Sequence, residues 1–284
     1  ARAQGARTKL IGLTWIDEGQ AILVRPGSDI RSPRDLKGKR LALPAYKPQD
    51  LTENKRGRSI ARGMSLAGYK GALASAGLGL EDVRLIEVGA GGNRSARNGA
   101  GWGRDSNLGE LWEGLAPLIN GDVDAVYVKG ASAREAAHRH GAVVGIDIDK
   151  LPERRFRVNN GTPRPITVHE DFIQNHFDLL ERFLYQTLRA AAWAKTNLEG
   201  VREVLQQETL AGKAGVEEAY RDDFHLSLAP DLSDKRVELF RLQKNFQLIH
   251  GFIDRDFDFD AWIDRRPLQA AAARLAEAPL RQVA

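Results

Sequence analysis

The chain has 284 residues, 42% of them hydrophobic, with 42 basic and 38 acidic side chains and a net charge of +4. Such hydrophobicity with so little net charge excludes a disordered chain and allows one large domain or two medium ones. No stretch approaches the roughly 18 apolar residues that a membrane span requires, and with no cysteine disulfides, thiolate metal sites and a cysteine nucleophile are excluded within residues 1–284.

The first element is Lys9 to Trp15, a short β-rich apolar run ending near Asp17-Glu18, and a second strand follows at Ala21 to Val24. Continuous apolar runs of this kind read as buried strands of an α/β sheet. Ser32-Pro33-Arg34-Asp35-Leu36-Lys37-Gly38 carries a cap, a proline at the first helical position and an exit glycine, so it predicts one turn feeding the strand Arg40 to Leu43. Residues 45–58 read as a long polar loop before a helix that opens near Ser59 and stops at Gly77. In that helix Ile60, Met64, Ala67 and Gly71 are expected on one face, Arg62 and Tyr69 on another. The strand Val83 to Val88 precedes a glycine-rich loop, Gly89 to Gly109, which carries Arg94, Arg97, Trp102 and Arg104.

Beyond it the pattern gives a helix over 111–119, a strand over 123–128, a helix over 132–140 and a strand over 142–146. Alternation of strand and helix across 40–148 predicts a parallel-type sheet with crossover helices. From Thr167 a capping-box pattern opens a helix-rich region, with further helices at 198–207, 233–249 and 267–278. The strands of 9–24 have no sequence-adjacent partners, so they are expected to pair with strands upstream of Ala1. That places the α/β block as an insertion in a lobe whose sheet would otherwise show open, aggregation-prone edges.

Val24-Arg25-Pro26-Gly27-Ser28-Asp29-Ile30, Asp35 to Ala42 and Asn120-Gly121-Asp122-Val123-Asp124-Ala125, in this order and spacing, resemble passages of the sulfonate, nitrate and taurine solute-binding proteins. Asp222 to Phe246 and Phe259-Asp260-Ala261-Trp262, with the glycine-rich loop, resemble the hydroxybiphenyl sulfinate desulfinases, which share that fold. The resemblance implies an α/β, two-lobed type II periplasmic-binding-protein-like fold, N-terminally truncated, with a helical C-terminal region. Lobe I would comprise 1–24 and 160–284, and lobe II 25–159. The desulfinase cysteine, histidine and arginine belong to the opening segment, upstream of Ala1, so no catalytic residue carries over.

Ligands of open α/β sheets bind outside the carboxyl ends of strands, which selects Thr14, Trp15, Tyr46, the segment after Val88, Tyr127 and Lys129. Thr14 offers a hydroxyl donor, and Trp15 either walls an organic group or packs at the lobe edge. Tyr46 stands where the family has an anion-binding turn that Ala45 to Arg58 here replaces. Arg62 and Tyr69, two turns apart, line a cleft or form a surface pair. Trp102 and Arg104 suit an aromatic anion on a moving loop or belong to a surface loop. Lys129 suits a sulfonate or carboxylate, against a solvated lysine. Asn160 reaches a ligand or simply makes a turn. His138 and His140, two apart on a helix, cannot face one metal, and no metal or cofactor is expected.

Three functions remain open. The first is a periplasmic solute-binding protein that delivers a small sulfonate-like or aromatic organic anion to an ABC-type permease. The second is a cytoplasmic desulfinase-like C–S hydrolase with its catalytic residues upstream. The third is a ligand-sensing domain. Basic residues are dispersed, which speaks against a nucleic-acid partner.

Overall fold

The computed structural model describes residues 1–89, 115–159, 161–221 and 223–277. Two compact units emerge. One comprises Ala1–Ile16, Gly161–Val201 and Asp222–Ala284, and the other Asp17–Asn160 and Arg202–Arg221.

The second unit is built on a five-stranded sheet. Its strands are β2 (Ala21–Val24), β3 (Arg40–Pro44), β4 (Arg84–Val88), β5 (Ala125–Val128) and β6 (Val143–Asp147), in the order β4-β3-β5-β2-β6. β3 runs parallel to β4 and β5, whereas β2 is antiparallel to both β5 and β6. The four strands of 40–148 thus run in one direction, as their alternation with helices predicts, and the sheet is mixed only because β2, which precedes that block, enters antiparallel. β2 reaches the sheet before the strand–helix alternation begins, so no crossover helix constrains its direction.

Every residue of β2 and β5 is buried, and this is why they read as apolar runs. Ala21 and Leu23 pack with Ala42, Val126 and Val128 on one face. Ile22 and Val24 pack with Leu41, Tyr69 and Tyr127 on the other. The first face is covered by α3 (Leu115–Asn120) through Leu118 and by α4 (Ala131–Arg139) through Ala133 and Ala137. The second is covered by α2 (Ile60–Ser75), which follows the short α1 (Pro48–Thr52). α2 lies very close to its neighbours. A Cβ at Gly68 would fall 2.1 Å from the Tyr127 ring, and one at Gly71 would fall 2.1 Å from the Phe156 carbonyl oxygen. Ile60, expected to share a face with Met64, Ala67 and Gly71, is 56% exposed at the start of the helix.

In the first unit β1 (Thr8–Thr14) pairs antiparallel with β7 (Arg164–His169). The opposite edge of β1 is also engaged: Leu10 N donates to Trp262 O, Asp264 N to Leu10 O and Asp231 N to Leu13 O. Both early strands thus find partners inside the chain, contrary to the expectation of upstream pairing. Leu10 and Leu13 pack with Val237, Phe240, Phe259 and Trp262, while Ile11 packs with Ile173, Leu180, Leu184 and Ala271. The helices here are α5 (Glu170–Asn175), α6 (Phe177–Ala194), α9 (Asp234–Ile249) and α10 (Arg266–Glu277). Ser233 caps α9 by accepting from Arg236 N. The capping box read at Thr167 does not form, because Thr167 pairs with Leu10 inside β7. His169 caps instead, its Nδ1 accepting from Asp171 N.

Two boundaries move from those expected. β2 belongs with the five-stranded sheet, so the first crossing falls at residue 16 rather than 24. Residues 202–221 also join the second unit. α7 (Leu198–Thr209) spans that boundary, and α8 (Lys213–Ala219) packs on α4. Ser132 Oγ donates to Thr209 O, and Gly212 N donates to Glu135.

Candidate functional site

In the second unit the segments around β2, β5 and β6 share one buried polar cluster. Tyr69 of α2 is fully buried; its hydroxyl donates to Ala42 O at 2.7 Å and accepts from Tyr127 N at 2.8 Å. Regular β3–β5 pairing ends at Ala42↔Val126, and this hydroxyl extends the bonding by one more step. Burial pushes the Tyr69 phenol well above its ordinary range, offset in part by the Tyr127 N–H. The expectation that Tyr69 lines a binding surface is corrected: it is a core residue that joins two strands.

Tyr127 is buried too. Its hydroxyl donates to Gln20 Oε1 at 3.1 Å and accepts from Asn159 Nδ2 at 2.7 Å. Burial, then the charges of Asp149 and Glu18, raise its pKa well above normal. It is a neutral phenol linking the start of β2 to residue 159. Asn159 Nδ2 also donates to Met64 O, while Asn159 Oδ1 is buried with no hydrogen-bond partner.

The charged members lie in the same cluster. Lys129, directly after β5, pairs with Glu18 at 3.2 Å, and its side chain is only 5% exposed. Arg157 donates to Asp17 at 2.9 Å and to Asp149 O at 2.9 Å. Arg134 of α4, 1% exposed, donates to Gly19 O and stands 3.6 Å from Asp147 and 3.7 Å from Glu218. Asp149 is raised to about 7, by burial first and the Asp17 charge second, against the Gln20 N–H bond that lowers it.

At the carboxyl end of β3, Arg62 lies over the Tyr46 ring at 4.3 Å. It donates to Pro44 O and to Glu87 at 2.7 Å. The 45–58 segment is not bare loop: Asp50 of α1 is buried and accepts from Ser59 Oγ at the start of α2. In the first unit Trp15 is 1% exposed, with the Arg236 guanidinium 5.8 Å from its ring. Thr14 ends β1 opposite Arg164. Trp102, Arg104 and Asn160 lie outside the described residues.

The structure thus joins Tyr69, Tyr127 and Lys129 to one buried cluster in the second unit and places Tyr46 and Arg62 together beside β3. The sequence reading missed Gln20, Asp149 and Arg157, whose longest bonds span more than a hundred residues, and Asn159, whose partners lie 32 and 95 residues away. Their only signal was negative: polar residues flanking strands with no local structure to satisfy them. Among the described residues no group of three or more His, Asp or Glu is placed to hold a metal. No helix there is long and apolar enough to cross a membrane.

With this geometry established, comparison with known proteins is informative. The chain is similar to the 2'-hydroxybiphenyl-2-sulfinate desulfinases of Rhodococcus erythropolis and Rhodococcus qingshengii, at 24% identity over 92% of this chain and 73% of theirs. The crystal structure of the desulfurization enzyme DszB superposes with a TM-score of 0.69 and 22% identity, over 95% of this chain and 80% of that one. The periplasmic sulfonate-binding protein SsuA of Methylobacillus flagellatus gives 0.67 and 15%, over 97% and 72%. The fold is that of the periplasmic-binding proteins. No family model matches the chain. On that fold β2, β3, β5 and their flanking residues form the buried polar cluster described above.

Proposed function

We propose that this chain binds a small organic anion bearing a sulfur oxyacid group, as the binding component of an importer. What carries the reading is a shared denominator. The same fold, over more than nine-tenths of this chain, supports SsuA proteins named for sulfonate binding and a DszB structure holding biphenyl-2-sulfinic acid. Arg62 and Lys129 are the described cations at strand ends that such an anion would engage, and Tyr46 supplies an aromatic wall. Each cation now holds a carboxylate, Glu87 and Glu18 respectively. An incoming sulfonate would exchange for that carboxylate, which favours ligands whose organic part adds apolar contact. On this reading the partner is an ABC-type permease and the site of action lies outside the cytoplasm.

A second reading is favoured by one observation, the sequence-level similarity to the desulfinases across 92% of the chain. It makes the protein a C–S hydrolase whose nucleophile is supplied from outside residues 1–284, since these contain no cysteine. Isothermal titration with alkanesulfonates, arylsulfonates and biphenyl-2-sulfinate tests the binding proposal. Saturable binding to at least one is expected, and no heat or thermal shift with any of them would overturn it. Sulfite release from biphenyl-2-sulfinate by protein from the complete reading frame would decide for the hydrolase.

A further inference from the structure

Three of the four points at which the chain passes between its units fall beside Asp149. The passages lie at residues 16/17, 160/161, 201/202 and 221/222. Asp149 sits in the helical turn Ile148–Lys150 just after β6 and is 1% exposed. Its carboxylate accepts from Gln20 N at 2.9 Å and from Gln20 Nε2 at 3.1 Å. Its backbone carbonyl accepts from Arg157 at 2.9 Å and Arg221 at 2.7 Å. Gln20 Nε2 also donates to Arg157 O, and Arg157 holds Asp17. One residue therefore fastens the ends of the first, second and fourth passages, all within the second unit.

The charge arrangement around it is uneven. The two guanidinium groups bond to the carbonyl of Asp149, not to its carboxylate. Lys129 is held by Glu18, while Lys150 and Arg134 are drawn to Asp147. Asp17 and Asp147 add negative charge that disfavours the carboxylate, Lys129 opposes them with positive charge, and Tyr127 faces the cluster as a neutral phenol. A carboxylate so placed gains more from water than from its surroundings, and a carboxylic acid does not.

We propose that Asp149 is a proton-responsive clamp on the passages between the units: neutral, it stays buried and holds Asp17–Gln20 against Arg157 and Arg221, and ionised, it is drawn toward water and loosens them. The direction follows from linkage. The pKa of Asp149, about 7, lies above its ordinary value of 3.8, so the buried arrangement binds the proton more tightly than any hydrated one. The fastening is thus strongest at low pH and weakens as pH rises through about 7.

The test is NMR-detected amide exchange on the intact chain between pH 6 and 8.5, corrected for the intrinsic pH dependence of exchange. The Gln20 amide, bonded to the carboxylate, is expected to lose protection by about tenfold over this range, while Leu23 in β2 stays the more protected of the two at every pH. Protection at Gln20 that is flat, or that rises with pH, overturns the proposal, as does protection at Gln20 equal to that at Leu23 throughout, which would mark global unfolding as the route of exchange. In Asp149→Asn the pH dependence at Gln20 is expected to vanish, and its persistence would also overturn the clamp. If that variant does not fold, the wild-type profile alone decides.

Discussion

Tyr69 shows how one side chain can do backbone work. Its hydroxyl fills a gap between β3 and β5 that the peptide groups themselves leave open, accepting from Tyr127 N and donating to Ala42 O. Tyr69→Phe keeps the ring and leaves both backbone groups buried without their partner. A loss of about 1–3 kcal/mol is expected in urea denaturation, with the fold retained by circular dichroism. Asp149 makes a second prediction at this scale, now for global stability. Its folded pKa is raised to about 7 from 3.8, so its contribution is fully present below about pH 4 and is lost as pH rises to about 7. Asp124, held below its ordinary range by the Arg40 guanidinium, acts oppositely and weakens the fold only as pH falls below the usual carboxylate range. Denaturation midpoints should therefore decline between pH 5 and 7, and Asp149→Asn should flatten that decline. Neither role was visible locally: Tyr69 was legible as a helical residue, but its partners are 27 and 58 positions away.

Among elements, α2 has the tightest fit. Gly68 lets the helix lie against the Tyr127 ring, and a methyl there would stand 2.1 Å from Cε2. Gly68→Ala should cost about 1–3 kcal/mol by forcing the ring or helix to shift. Ala74→Ser on the exposed side of the same helix should stay within about 0.5 kcal/mol. Thermal melts of the two variants side by side check this. Periodicity placed most helices and strands within a few residues, because a buried apolar run or an amphipathic stripe is a local property. It failed at Thr167, where a capping pattern lies inside a strand. Pairing with β1 across more than 150 residues outweighed the local preference.

At the scale of the whole molecule, residues 202–221 leave the first unit, pack on α4 and return. Nothing in their sequence distinguishes them from the helices around them; the docking rests on Ser132, Glu135 and the buried Arg134. The ligand proposal belongs at this scale as well. A sulfonate bound at a hundredfold its Kd should add about 2.7 kcal/mol to stability, read as a rise in Tm. Arg62→Ala and Lys129→Met should each weaken that rise.

The sequence by itself determined that the chain is α/β, that Ala21–Val24 is a buried strand, and that no thiol chemistry can arise within residues 1–284. These follow from composition and short-range pattern, which act over one turn of helix or two residues of strand. Only the tertiary structure decided which sheet takes β2, that the sheet is mixed, and that Tyr69 and Tyr127 are core residues while Asp149 and Gln20 gather the chain's passages. Those outcomes depend on hydrogen bonds between groups from a few tens to more than a hundred residues apart, and a buried polar group is satisfied by whatever the fold brings to it.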